Sequence, residues 1–254
     1  MNSHDKPWTI YDALIESIPP DYPVDEVIQG GHWTMVRSGG GTGLAMTLTR
    51  NVGDEVRPRT LPPALEGLPL RELARASKSW NFAEASMGIA ALGAYWNSPE
   101  RPQTAKALEN RAISAFESWR ERVRGKKAAV IGHFMHLERT LAPICELSIL
   151  EQRPREGDYP ASACEFLLPL QDFVFATGVT LTNKTFPRLL ELSRPAEFIL
   201  VGPSTPLCPL LLDFGVRDLQ GFAVTNPELC RAIVLDERED LSIFDAGRRV
   251  SLCQ

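Results

Sequence analysis

Residues 198–209 read FILVGPSTPLCP. The run opens with four apolar residues, Phe198 to Val201, enough for one buried strand. Gly202 and Pro203 stop it, Ser204 and Thr205 follow, and Pro206 leads into an apolar stretch from Leu207 to Phe214 that fits a helix. Strand, tight polar turn, helix is the unit of an open α/β sheet, and the turn is where such a sheet meets its ligand. Ser204 and Thr205 suit a helix N-cap, and Pro206 suits the first helical position. Amides and hydroxyls placed there can hold an anion or a polar ligand.

Working outward, the same pattern repeats through the second half. Candidate strands at Ala128–Ile131, Leu147–Leu150, Phe173–Thr177, Phe198–Val201 and Gly221–Val224 alternate with helical stretches near 135–142, 161–169, 181–192, 207–214 and 227–234. Apolar strands at this spacing predict a mostly parallel sheet with helices on both faces. Right-handed crossovers make it Rossmann-like. The first strand–helix turn, Ile131-Gly132-His133-Phe134, has a single glycine where GxGxxG would be needed, so classical NAD binding is disfavoured.

The first half reads differently. Trp8 to Ile18 is an amphipathic helix stopped by Pro19 and Pro20, and Val24 to Arg37 is β-like. Gly39 to Gly43 precedes a further strand, Leu44 to Thr49. This glycine run lacks the Lys-Ser/Thr of a phosphate loop and leads into a strand. It reads as a hairpin connection, with a mobile flap over a site elsewhere as the alternative. Arg57 to Pro69 reads as loop and Leu70 to Lys78 as helical. Asn81 to Trp96 is a helix so rich in Ala, Gly and Ser that other backbones can approach it closely, which predicts a central position. Asn97 follows as a C-terminal cap in the left-handed conformation. Ser98 to Pro102 marks the boundary between a smaller α+β domain, 1–100, and the α/β domain, 101–254. Thr104 to Arg124 then reads as one long amphipathic helix.

Composition bounds the function. The 254 residues carry a net charge of −5, which disfavours a nucleic-acid partner. Prolines break the apolar runs before they reach membrane-spanning length, so no membrane partner is expected. The N-terminal MNSHDKPWTI lacks a signal pattern, and cysteines 145, 164, 208, 230 and 253 form no CxxC pair. Reduced thiols in a cytoplasm fit that set.

In a doubly wound sheet, functional groups collect beyond the carboxyl ends of the strands. Those ends carry Gly132 and His133, then Glu151, then Thr177, Gly178, Thr180, Asn183 and Thr185, then Gly202, Pro203, Ser204 and Thr205. Hydroxyls, one imidazole and one carboxylate suit a polar small-molecule ligand. His133 is open to two readings: metal ligand or general acid/base on one side, the cap of a strand end on the other. His136 and Glu138 lie close by, but HxxH without further ligands is a weak zinc signal. Cys208 reads as core filler.

At these residues the chain resembles a known family. VIGHF (130–134), EQRPREGD (151–158), DFVFATGVTLTNKT (172–185) and VGPSTPLCP (201–209), with the Ala-Gly-rich helix ending at Asn97, are similar to the family described as "putative heavy-metal chelation". The resemblance implies an enolase N-terminal-like domain followed by a Rossmann-like domain, with a site between them. It places Gly132, His133, Glu151, Thr177, Gly178, Asn183, Thr185, Pro203, Ser204 and Thr205 at that site, and Asn97 from the other domain. Two functions stay open: an enzyme acting on a small metal-chelating compound, with His133 as the acid/base, and a protein that binds a chelator or metal without turnover. A closed zinc site needs four well-placed ligands and a catalytic one typically three. The isolated cysteines and His133 do not supply them, so any metal is expected to arrive with a small-molecule chelator.

Overall fold

The structure, a computed structural model, describes residues 7–48, 58–110, 113–134, 137–238 and 240–253. Helix α1 (Trp8–Glu16) buries Ile10, Tyr11, Leu14 and Ile15 at helical spacing. The β-like stretch expected over Val24–Arg37 is two strands, β1 (Glu26–Gln29) and β2 (Trp33–Ser38), because Gly30 and Gly31 turn the chain between them. Strand β3 (Gly41–Met46) completes an antiparallel sheet of order β1-β2-β3. Residues 49–57, which include the expected end of this strand, lie outside the described residues.

The glycine run is the hairpin connection expected of it, turning the chain from β2 into β3. Gly39 and Gly40 take φ of +53° and +80°, the left-handed pair that a tight hairpin requires. A Cβ on Gly43 would fall on the backbone of Ala90 and Ala94. The contact comes from helix α3 (Phe82–Trp96), reached through α2 (Leu70–Ala74) and a 3₁₀ turn at Arg75–Lys78. Asn81 caps α3 by accepting a hydrogen bond from the Glu84 N–H. Residues 84–95 of α3 are all buried, so its small side chains serve as expected.

The long helix expected over Thr104–Arg124 is broken. Helix α4 (Pro102–Leu108) ends early, and α5 (Ala115–Ser118) starts afresh with Ser114 as its N-cap. Phe116, Trp119 and Val123 nevertheless remain buried. The apolar spacing reported burial correctly but not helical continuity.

The second sheet has the order β10-β9-β8-β7-β4-β5-β6. Its strands are β4 (Lys127–Ile131), β5 (Glu146–Glu151), β6 (Tyr159–Pro160), β7 (Phe173–Thr177), β8 (Glu197–Val201), β9 (Val216–Val224) and β10 (Gly247–Cys253). The first six are parallel, and β10 pairs antiparallel with β9 at the edge. From β6 to β9 this is the 3-2-1-4-5-6 order of a doubly wound sheet, which reverses direction between β4 and β7. Connecting helices are α6 (Leu137–Thr140), α7 (Cys164–Leu167), α8 (Val179–Thr182), α9 (Phe186–Leu192), α10 (Leu210–Asp213) and α11 (Pro227–Val234). β9 begins five residues before its expected start, and β10 was not expected. Its Arg248-Arg249-Val250 pattern buries only Val250 among those three, as suits an edge.

Side chains alternate across the sheet with the period of two that strands impose. Val130, Phe175, Ile199 and Val201 pack with Phe116, Trp119 and Leu137 on one face. Ala129, Val174, Ala176, Phe198 and Leu200 face the other way. There they join one apolar core with Leu14 and Ile15 of α1 and Ala90 and Ala91 of α3. A third cluster packs Met35 and Leu44 of the small sheet against Phe222, Ile233 and Val234. Among the described residues no helix is long and apolar enough to cross a membrane.

Candidate functional site

Where the strand order reverses, the carboxyl ends of β4, β5 and β7 open onto a cleft of about 630 Å³, closed on one side by Met46 and Leu48. Gly132 makes the opening possible. Its φ is +98°, and a Cβ there would come within 3.1 Å of the Thr177 methyl group on the neighbouring strand. Its N–H donates to the Leu150 carbonyl (3.0 Å), extending the pairing of β4 with β5 by one residue.

His133 follows directly. Its backbone N–H donates to Glu151 Oε2 (3.0 Å), while Glu151 Oε1 accepts from the Gln152 N–H (2.6 Å). The imidazole is 12% exposed and stands between two carboxylates, with Nδ1 3.3 Å from Asp158 Oδ2 and Nε2 3.0 Å from Glu138 Oε1. Asp158 is 3% exposed and is itself held by the Arg155 N–H (3.0 Å), so it fixes the ring; Glu138 is 56% exposed. An imidazole oriented by a buried carboxylate, with its second nitrogen against an exposed one, is of the kind that accepts or donates a proton.

The β7 end contributes hydroxyls. Thr177 Oγ1 accepts from the Val179 N–H (3.3 Å), and the Thr180 hydroxyl donates to the Thr177 carbonyl (2.7 Å). Asn183 Oδ1 accepts from both the Thr185 N–H (3.1 Å) and the Thr185 hydroxyl (2.7 Å). Of the residues expected at the site, Gly132, His133, Glu151, Thr177, Thr180, Asn183 and Thr185 line this one cleft.

Asn97, Gly178, Pro203, Ser204 and Thr205 do not line it. The turn after β8 is no helix N-terminus, because α10 begins only at Leu210 with Pro209 before it. Ser204 Oγ accepts from the Met46 N–H (2.9 Å), so it holds the wall of the cleft from behind. Gly178 lets two turns abut, since a Cβ there would come within 2.7 Å of the Ser204 backbone. Thr205 is fully buried, and its carbonyl accepts from Asn97 Nδ2 (2.9 Å). Asn97 also donates to the Phe222 carbonyl (3.1 Å) and accepts from the Leu207 N–H (2.8 Å). Its φ of −93° is not the expected left-handed cap. A buried amide with both termini engaged by backbone is a clamp between α3 and the large sheet, not a ligand contact.

Three residues on the cleft or behind it were missed by the sequence reading. Asp158 is the partner of His133, and only the fold brings it across from the loop after β5. Cys164 lies in the wall, its thiol pushed up to about 11 by burial. Lys184 also lines the cleft; burial brings its ammonium group down to about 8. It lies inside the TLTNKT segment, just past the end of α8.

The donor set does not fit a metal held by the protein alone. Glu151 and Asp158 turn their oxygens to backbone N–H groups, and among the described residues no three His, Cys, Asp or Glu side chains are grouped to hold an ion. His136 lies outside the described residues.

Two family models match the chain. Both are described as "Putative heavy-metal chelation", one over residues 114–251 and the other over residues 11–96. No curated protein matches it. A crystal structure of a protein of unknown function from the DUF364 family of Desulfitobacterium hafniense DCB-2 is 45% identical, covers 97% of this chain and 98% of that one, and superposes with a TM-score of 0.86. A DUF364 protein of unknown function from Pyrococcus horikoshii, 21% identical over 96% of this chain and 98% of its own, has a TM-score of 0.79 and shows the fold alone. The chain belongs to the DUF364 family.

Proposed function

We propose that the switch-point cleft binds a small, polar organic compound able to chelate a metal, and that His133, oriented by Asp158, exchanges a proton with it. The observation that carries this reading is the placement of His133. It is the imidazole at the carboxyl end of β4, held between a buried and an exposed carboxylate at the mouth of a 630 Å³ cleft. The family description concerns heavy-metal chelation, and in this reading the ligand, not the side chains, holds the metal. Hydroxyls and amides around the cleft suit oxygen-rich ligands, which prefer hard cations.

Elemental analysis after exhaustive dialysis, paired with calorimetric titration of zinc, copper and nickel salts, tests it. No stoichiometric metal is expected from either. Stoichiometric metal that disappears in His133→Ala would make the protein the chelator and end this reading. In the positive arm, a panel of carboxylate and hydroxamate chelators is added to the protein, and one of them raises its thermal stability. At ~100 times the dissociation constant the gain is ~2.7 kcal/mol.

A further inference from the structure

Lys184 stands out among the charged groups of the cleft because no carboxylate pairs with it among the described residues. Its Nζ donates to the Thr182 carbonyl (2.6 Å) and lies 5.3 Å from the centre of the Phe82 ring. The backbone at Lys184 is left-handed, φ +69°, directly after the C-cap of α8, where glycine is the usual residue. A lysine there carries backbone strain that glycine would not. The side chain reaches a half-buried position that lines both the main cleft and a smaller concavity of about 380 Å³. The other charged groups lining these two spaces are His133, Glu151, Glu165, Arg188, Glu191 and Arg194. Glu165 and Glu191 both pair with Arg188, and Glu151 accepts from backbone N–H groups. None of them neutralises Lys184, whose ammonium is disfavoured by burial with no compensating charge.

We propose that Lys184 is the recognition cation for a carboxylate of the bound ligand, so that the cleft selects carboxylate-bearing chelators over neutral ones. This rests on the chelator reading above and adds to it the ligand's charge. A half-buried ammonium on a residue that lines a cavity is stabilised by an anion that reaches it, and the anion gains a desolvated partner in return. The linkage has a definite sign. Anion binding favours the protonated amine, so affinity is full well below the amine's value of about 8 and declines as pH rises through it.

The test uses two probes, citrate as a carboxylate chelator and 2,2′-bipyridine as a neutral one, titrated into the full chain by calorimetry across pH 7 to ~10. In the wild type, citrate is expected to bind one to one, with affinity falling above about pH 8. Lys184→Met loses roughly 30-fold or more in citrate affinity, and its residual binding is flat with pH. Bipyridine binding is unchanged. Lys184→Arg keeps the charge throughout and binds citrate without the alkaline decline, which separates charge from folding. Met46→Trp narrows the cleft without altering Lys184 and is expected to weaken citrate. If it does not, the anion sits in the smaller concavity and the proposal fails. It also fails if citrate binds Lys184→Met as tightly as wild type, or if bipyridine binds wild type and citrate does not. If neither probe binds, the chelator reading falls with it.

Discussion

Replacing Asn97 with Ala tests whether this residue is a clamp or a ligand group. The side chain makes three hydrogen bonds, all to backbone: to the carbonyls of Thr205 and Phe222 and from the N–H of Leu207. It is 1% exposed, so those partners have no direct access to bulk water. Each buried backbone group left unpaired costs roughly 1–3 kcal/mol. A water entering the vacated space would recover part of that, which places the total at ~3–5 kcal/mol. For a chain of this length the melting temperature should fall by roughly 6–20 °C, at ~2–4 °C per kcal/mol. Asn97→Asp should be at least as damaging, because an oxygen then faces the two carbonyls that Nδ2 now satisfies. Urea unfolding followed by circular dichroism gives the free energy, and citrate titration of the folded fraction gives binding. A loss of ligand affinity with stability changed by less than ~1 kcal/mol would refute the clamp and return Asn97 to the site.

Gly43→Ala should destabilise by more than ~3 kcal/mol, since the new methyl group meets helix backbone that cannot rotate aside; a thermal melt within a few degrees of wild type would contradict this. Glu84 is buried and accepts four hydrogen bonds, from the Thr60 and Leu61 N–H groups and the Thr60 and Ser79 hydroxyls. Burial pushes its carboxyl up, but the bonds from Leu61, Ser79 and Thr60 outweigh it and hold it below its ordinary value. Its stabilisation is therefore present above the unfolded-state value of about 4.3 and is lost as pH falls through the lower folded value. Glu84→Gln should cost ~2 kcal/mol at neutral pH and flatten the acid side of the stability profile, read as urea midpoint against pH; an unchanged acid slope would assign it to other groups.

The large sheet was legible because its strands are buried on both faces and read as short apolar runs, as at Phe173–Thr177 and Phe198–Val201. Period and punctuation sufficed there. They failed where tertiary contacts chose between alternatives of similar local energy. Thr104–Arg124 has helical spacing, yet the Ser114 cap restarts the chain. Ser204 and Thr205 have N-cap chemistry, yet Ser204 accepts its hydrogen bond from a distant strand, at Met46. The glycines of β3 looked like loop residues because their need, close approach to α3, is invisible along the chain. At the site, residues next to strand ends were readable from position. Asp158 was not, because it reaches His133 from 25 residues away through a loop with no periodic pattern.

The hydrogen bond from the Met46 N–H to Ser204 joins the small sheet to the large one at the back of the cleft. Together with the Asn97 clamp and the core shared by α1, α3 and the large sheet, it ties the two sheets into one packed unit. In the proposed reading the cleft acts as a preorganised receptor: the ligand meets walls already in position and forfeits little of its binding energy to ordering them. Discrimination then comes from misfit and unpaired polar groups in the wrong ligand, not from an induced change in the right one.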